Sequence, residues 1–290
     1  MSVDLLINIT LALMMFNIGA SLRFSDFKRI LQNLKPIILG ISLQMLALPV
    51  LTFGILYFTE ISPAYKLGIF ILSLCPGGST SNFVSYLVKS DVALSVLLTG
   101  INSFIILITL PALTTFGYLY FFSESDVIVD LPYFDIISNI FLMTLLPVIL
   151  GVLFRHYATT AANTIQTALK HASITALFLV FLIKIFGSKE QGGSGLIWED
   201  VISIFIPLLI IHFITLFASY YISKKVIVDH SKSVTIGIEV GLQNTALALL
   251  VATVLLGNEE LGKPAVIYSG FSFFTTYIFG WWMMRKTRDV

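Results

Sequence analysis

In GIEVGLQNTAL, residues 237–247, a carboxylate (Glu239) and two amides (Gln243, Asn244) run straight into the apolar stretch ALLVATVLL. A charge at the centre of a bilayer costs about 2.5–3.5 kcal/mol even on insertion scales, so something must offset Glu239. A second polar set, Ser79-Thr80-Ser81-Asn82, follows Pro76-Gly77-Gly78 inside LGIFILSLCPGGSTSNFVSYLVK. Hydroxyls, amide oxygens, unwound backbone carbonyls and a carboxylate are ligands for a hard cation. Cations that neutralise Glu239 would explain its tolerance.

The elements that must position these groups are membrane helices. The chain has 290 residues, of which 57% are hydrophobic and only 11% charged, against about 25% charged in a soluble domain. Mean hydropathy is +0.95. Apolar runs of about 20 residues, enough to span a bilayer, fall at nine places: 3–22, 34–58, 66–89, 92–121, 134–154, 164–187, 200–223, 232–257 and 262–284. The expected class is an all-α polytopic membrane protein with nine transmembrane helices and no soluble domain. The polar connections SESDVIVDLPYFD and GSKEQGGSGLIWED read as surface loops. Asp4 and the lack of a small-residue cleavage site make the first run a retained helix rather than a signal peptide.

Placing the N-terminus outside leaves Lys66, Lys184, Lys189 and Lys263 as the only outer basic residues of the 17 Lys and Arg. The positive-inside rule therefore predicts N-out, C-in topology in a cell (inner or plasma) membrane. A net charge of +1 gives no footprint for nucleic acid, and the lone Cys75 excludes an intrachain disulfide. Fifteen of the 16 acids sit at or near loops and helix ends, leaving Glu239 as the single acid expected to be buried in a span.

Pro removes a backbone donor and Gly is a poor helix former, so the third span should unwind at Pro76-Gly77-Gly78. The eighth, with Gly237, Gly241 and its polar set, should be interrupted too. Unwound backbone at membrane depth needs protein or a cavity around it. Two interrupted helices in corresponding halves point to the binding site of a secondary transporter. They lie five helices apart, so they cross the membrane in opposite directions, as an inverted repeat requires. The repeats are expected at about 1–122 (four helices) and 133–286 (five helices). A five-plus-five pattern would add one helix before the first.

CPGGSTSNFVSYLVKSDVALSVLLT and IEVGLQNTALA resemble the two signature regions of the bile acid:sodium symporter family, as, more weakly, do LALMMFNIGASL and LQMLALP. The resemblance implies an inverted-repeat fold with a core of crossing discontinuous helices and a smaller panel domain. It implies sodium-coupled symport of an organic anion by alternating access. One sodium site would use Ser81, Asn82, Ser95, Thr99 and Glu239. A second would use Gln44, Glu239, Gln243 and the carbonyls of Val240 and Leu242. The substrate would lie beside the crossing, near Ser79, Thr80, Asn244 and Ser272. Members of the family that take bile acids often carry an amide in the last span near Ser272, where this chain has Phe271 and Ser272. Small carboxylates such as keto or hydroxy acids therefore stand beside bile-acid-like anions as candidate substrates.

On their residue types alone, Ser95 and Thr99, four apart on one helix face, would be packing residues, and Gln44 an interhelical hydrogen-bonding amide. His212 is expected to hydrogen-bond to a neighbouring helix, Lys184 to snorkel at the outer interface, and Cys75 to pack. Trp198, Trp281 and Trp282 read as interfacial aromatics. An intramembrane enzyme is not expected, since no H-E-x-x-H motif or pair of embedded aspartates is present. A proton-coupled or exchange-type carrier, with Glu239 as the proton group, is the alternative to sodium symport.

Overall fold

The computed structural model describes residues 3–21, 34–123, 138 and 141–285. The loop SESDVIVDLPYFD, except its first residue, and basic residues 23, 28, 29, 286 and 288 lie outside the described residues, as do the side chains of Ser79 and Lys170. All regular structure among the described residues is helical: α1 (Val3–Ser21), α2 (Leu34–Tyr57), α3 (Pro63–Leu74), α4 (Ser79–Val88), α5 (Val92–Phe121), α6 (Phe141–Tyr157), α7 (Thr159–Phe186), α8 (Trp198–Ile227), α9 (His230–Gly241), α10 (Thr245–Leu249, continued by a wider π-turn Leu250–Leu255) and α11 (Glu259–Arg285).

Five helical stretches among the described residues are long and apolar enough to cross a membrane: α2, α5, α7, α8 and the interrupted pair α9–α10. The chain is a multi-pass membrane protein. α8 carries the sequence logic of such a helix. Ile202, Ile206, Ile210, Phe213 and Ile214 face outward while Ile204, Leu208, Ile211, His212 and Thr215 are buried, a division that follows the helical period. An apolar outward face of this kind suits lipid rather than water. The pair α9–α10 is different: 89% of its span is buried, against 25–50% in the other four. The interrupted helix therefore runs through the middle of the bundle.

Two neighbourhoods surround it. α1 packs against α6 and α7. The α1–α6 contact depends on Gly19 and Gly151, where an added Cβ would come within 2.1 Å of the Val148 carbonyl and 2.2 Å of the Phe16 carbonyl. Small residues let membrane helices approach this closely. Elsewhere α8 packs along α9, and α11 packs against α3, α4, α8 and α10.

Two helices carry a π-turn just before a proline: Leu43–Ala47 precedes Pro49, and Phe141–Leu145 precedes Pro147. A proline ring clashes with the carbonyl four residues back, and widening that turn relieves the clash. The first π-turn contains Gln44.

Helix boundaries differ from the sequence reading mainly at the fifth and sixth spans. The fifth ends at Tyr157 and the sixth begins at Thr159, leaving Ala158 alone between them. The stretch between those spans, RHYATTAAN, is polar enough to read as a connection, yet Ala161 and Ala162 are strong helix formers.

Lys184 is a correction. Expected to snorkel, its side chain is 0% exposed and its Nζ meets both Glu259 oxygens, at 2.9 and 2.8 Å. The connection after α7 folds back over it, with Ser194 Oγ and N both donating to the Lys184 carbonyl at 2.7 and 2.9 Å. Nor is Glu239 the only buried acid. Asp200, in the first turn of α8, is 5% exposed and pairs with Lys263 Nζ at 2.8 Å, and accepts from the Tyr65 hydroxyl. These pairs tie α3, α7, α8 and α11 together at one end of the bundle.

Candidate functional site

Both predicted interruptions are present, and they meet. α3 stops at Leu74. Cys75 is extended (φ −97°, ψ 94°), as the residue before a proline prefers to be, and α4 begins after Gly78. α9 stops at Gly241, followed by extended Leu242 (φ −110°, ψ 105°). The Asn244 N–H donates to the Cys75 carbonyl at 3.1 Å, a main-chain bond from one break to the other. The Asn244 side chain caps α10, its Oδ1 accepting from Leu247 N at 3.1 Å.

The crossing is close because of two glycines. A Cβ on Gly77 would lie 2.7 Å from Ser81 Oγ and 3.0 Å from Glu239 Oε1; one on Gly78 would lie 3.2 Å from Asn244 Nδ2. Gly77→Ala is therefore expected to lower stability by about 1–3 kcal/mol through overpacking, and Gly78→Ala by less. Thermal unfolding in detergent checks the order. Equal melting of Gly77→Ala and wild type would show that the crossing has slack.

Around Glu239 the oxygens converge. Ser95 Oγ lies 2.9 Å from Glu239 Oε2 and 2.7 Å from Asn82 Oδ1. Thr99 Oγ1 donates to Glu239 Oε1 and lies 3.3 Å from Asn82 Oδ1. Ser81 Oγ donates to the Gly78 carbonyl at 2.8 Å. Glu239, Ser81, Ser95 and Thr99 are all buried. A hydroxyl carries one proton, so Ser95 and Thr99 cannot serve both acceptors at once. With Asn82 Oδ1 facing both hydroxyls, the acceptors they meet outnumber their protons. Among the described residues that buried carboxylate has no positive partner, and a cation is the species that would supply one.

A second set adjoins it. Gln44 Nε2 donates to Gln243 Oε1 at 3.0 Å, and Gln243 Nε2 donates to the Val240 carbonyl at 2.6 Å. Gln44 Oε1 is buried with no hydrogen-bond partner, an oxygen donor available to a cation. Of the residues predicted for two ion sites, Asn82, Ser95, Thr99 and Glu239 are joined by hydrogen bonds in the first cluster, and Gln44, Gln243 and the Val240 carbonyl in the second.

Beside the crossing lies a cavity of about 260 Å³. Of the predicted substrate residues, Thr80 and Ser272 line it, together with Gln243. Asn244 does not line it. Its walls are aromatic: Phe83, Phe178, Phe181 and Phe273. Sequence reading missed these four, although Thr80 and Phe83, three apart in α4, and Ser269, Ser272 and Phe273 in α11 share helix faces. None of the described lining residues carries a charge.

His212, as expected, bonds to neighbouring helices, reaching Tyr268, Thr275 and the Gly241 carbonyl. Cys75 is fully buried, and Trp198 is exposed at the start of α8. Trp281 is exposed near the end of α11, with the Arg285 guanidinium 4.1 Å from its ring centre.

The fold and this site define a multi-pass membrane protein with buried side-chain oxygens gathered where two broken helices cross. The chain belongs to the Sodium Bile acid symporter family, whose sequence model matches residues 8–192. It is similar to a rice (Oryza sativa subsp. japonica) protein named as a probable chloroplastic sodium/metabolite cotransporter, BASS2, with 29% identity over 263 residues, covering 90% of this chain and 60% of the rice protein. It is 24% identical over 263 residues to a Bacillus subtilis protein named as the uncharacterized sodium-dependent transporter YocS (91% of this chain, 78% of YocS). It is 29% identical over 259 residues to the ileal sodium/bile acid cotransporter of Cricetulus griseus (88% of this chain, 71% of that protein). The chain spans about three-fifths of the length of the plant relatives.

Proposed function

We propose that this chain is a sodium-coupled symporter of an organic anion that works by alternating access. The observation that carries this reading is the proton-poor oxygen cluster around Glu239 at the meeting of two helix breaks. One sodium ion would take Ser81, Asn82, Ser95, Thr99 and Glu239. A second would take Gln44, Gln243, Glu239 and the Val240 and Leu242 carbonyls. The bundle would comprise nine membrane helices arranged as inverted repeats, about 1–122 and 133–286, with the N-terminus outside a cell membrane. The neighbourhood of α1, α6 and α7 would form the panel and the remainder the core.

The substrate would enter the 260 Å³ cavity. Its anionic end would face Thr80, the start of α4 and Ser272, since a helix N-terminus offers unpaired N–H groups and a positive dipole end. Ser79 and Asn244 complete the proposed polar border. Aromatic walls without charge favour an anion with an apolar body.

Thermal unfolding in detergent, with sodium exchanged for potassium at fixed ionic strength, tests the reading. A ligand that binds only the folded state adds about 2.7 kcal/mol at a hundred times its Kd, so melting should rise with sodium and not with potassium. Sodium should also tighten substrate binding, and substrate should tighten sodium binding by the same factor. Melting indifferent to sodium, together with uptake driven by a proton gradient, would replace this reading with a proton-coupled carrier.

A further inference from the structure

The last carbonyls of α9 have no helical partners, and one of them is held by side chains that no ion site claims. The Gly241 carbonyl accepts from the Tyr268 hydroxyl of α11. His212 Nδ1 of α8 lies 3.0 Å from the same carbonyl and 2.9 Å from the Tyr268 oxygen. A carbonyl can only accept, so this contact is a hydrogen bond in the tautomer that carries its proton on Nδ1. The Tyr268 oxygen, having donated its proton to Gly241, can accept from Nδ1–H. Nε2 lies 2.7 Å from Thr275 Oγ1. His212 and Tyr268 are 1% and 2% exposed, and the two rings pack edge to face with centroids 5.4 Å apart.

The peptide plane between Gly241 and Leu242 is therefore fixed at both ends. Its C=O is held by α8 and α11, and its N–H donates to the Ile238 carbonyl at 3.0 Å. Leu242 is extended, and successive carbonyls in an extended segment point to opposite sides. Tying the Gly241 carbonyl toward α8 and α11 turns its neighbour at Leu242 away from them. The Val240 carbonyl, on the near side of the fixed plane, meets Gln243 Nε2, in the cluster that Gln44 completes. Gly241 itself has no room for a side chain, since a Cβ would meet Leu216 Cδ2 at 2.2 Å.

We propose that His212 and Tyr268 are positioning residues that pin the Gly241 carbonyl and thereby aim the Val240 and Leu242 carbonyls at the cation. They touch neither ion nor substrate. This rests on the sodium reading above, and it adds two residues from α8 and α11 to the set that determines ion affinity and selectivity. Partners that orient metal ligands typically change affinity about 10- to 100-fold when removed.

The test is the sodium concentration giving half-maximal thermal stabilisation, measured with lithium and potassium alongside, on purified full-length protein. Tyr268→Phe keeps the ring and removes only the hydroxyl. It is expected to raise the half-saturating sodium concentration about tenfold or more and to narrow the preference for sodium over lithium. His212→Leu should act in the same direction. His212→Asn, whose Nδ2 can take the place of Nδ1, should restore much of the response. A merely structural role would lower melting equally in all three salts and leave half-saturation unchanged. That outcome in Tyr268→Phe, with a normal sodium response in the wild type, overturns this inference alone. A wild type without a sodium-specific response overturns the sodium reading and this inference with it.

Discussion

Glu239→Ala is expected to abolish the sodium-specific rise in melting and to reduce sodium-driven uptake in proteoliposomes to background. Its carboxylate accepts from Ser95 and Thr99 on α5, and it is the one formal negative charge in the oxygen cluster. Both proposed ion sites use it, so a single truncation removes a charged ligand from each. Melting in potassium should move the other way or not at all. Without a cation, the wild type holds a buried carboxylate with hydroxyl partners only, and such a charge is costly to bury unpaired. The signature is therefore a protein that folds at least as well in potassium and no longer distinguishes the two ions. A variant that melts higher in sodium, as the wild type should, would remove Glu239 from the ion sites.

Glu259→Ala should be strongly destabilising although it lies outside the crossing. Lys184 is wholly enclosed, and its ammonium has both Glu259 oxygens as partners. Removing one member of a buried pair leaves an uncompensated charge and costs about 3–5 kcal/mol. The lower end, about 3 kcal/mol, applies here, because the Glu259 side chain is 46% exposed. Lys184→Met should cost far less, since it removes the buried charge and keeps an unbranched side chain. Melting of the two variants side by side decides the matter. Equal losses would mean that the interaction is held by packing rather than by charge.

The parts of this molecule legible in the sequence are those written in residue chemistry. Pro76 with its two glycines breaks a helix wherever it is placed. Gly241, Gln243 and Asn244 mark the second break, Asn244 because its side chain can cap the helix that follows. Burial of Glu239 could be read from its apolar flanks. The meeting of Ser95 and Thr99 with Glu239 could not be derived from spacing, because the contact joins residues 140–144 apart; the family resemblance supplied it. The aromatic cavity walls were missed for the same reason. Phe178 and Phe181 come from α7 and Phe273 from α11, and in an apolar span a phenylalanine facing a cavity looks like one facing lipid. Lys184 misled because a lysine near a span end ordinarily reaches water. Only the fold brings Glu259 over it. The π-turns before Pro49 and Pro147 were within reach of the sequence, since the proline clash that widens each turn is local.

The single main-chain bond from Asn244 to Cys75 bears on how the protein is built as well as on how it works. In lipid, each backbone group without a partner is costly, so the first interrupted helix cannot settle at membrane depth until the second is there to cover its break. The two lie 169 residues apart in sequence, from Cys75 to Asn244. During synthesis most of the bundle must enter the bilayer before either break is closed. The crossing is then among the last contacts to form and a natural point of surveillance for quality control in the membrane. Substitutions that open this main-chain bond, unlike Glu239→Ala, would be felt as lost protein before they were felt as lost transport.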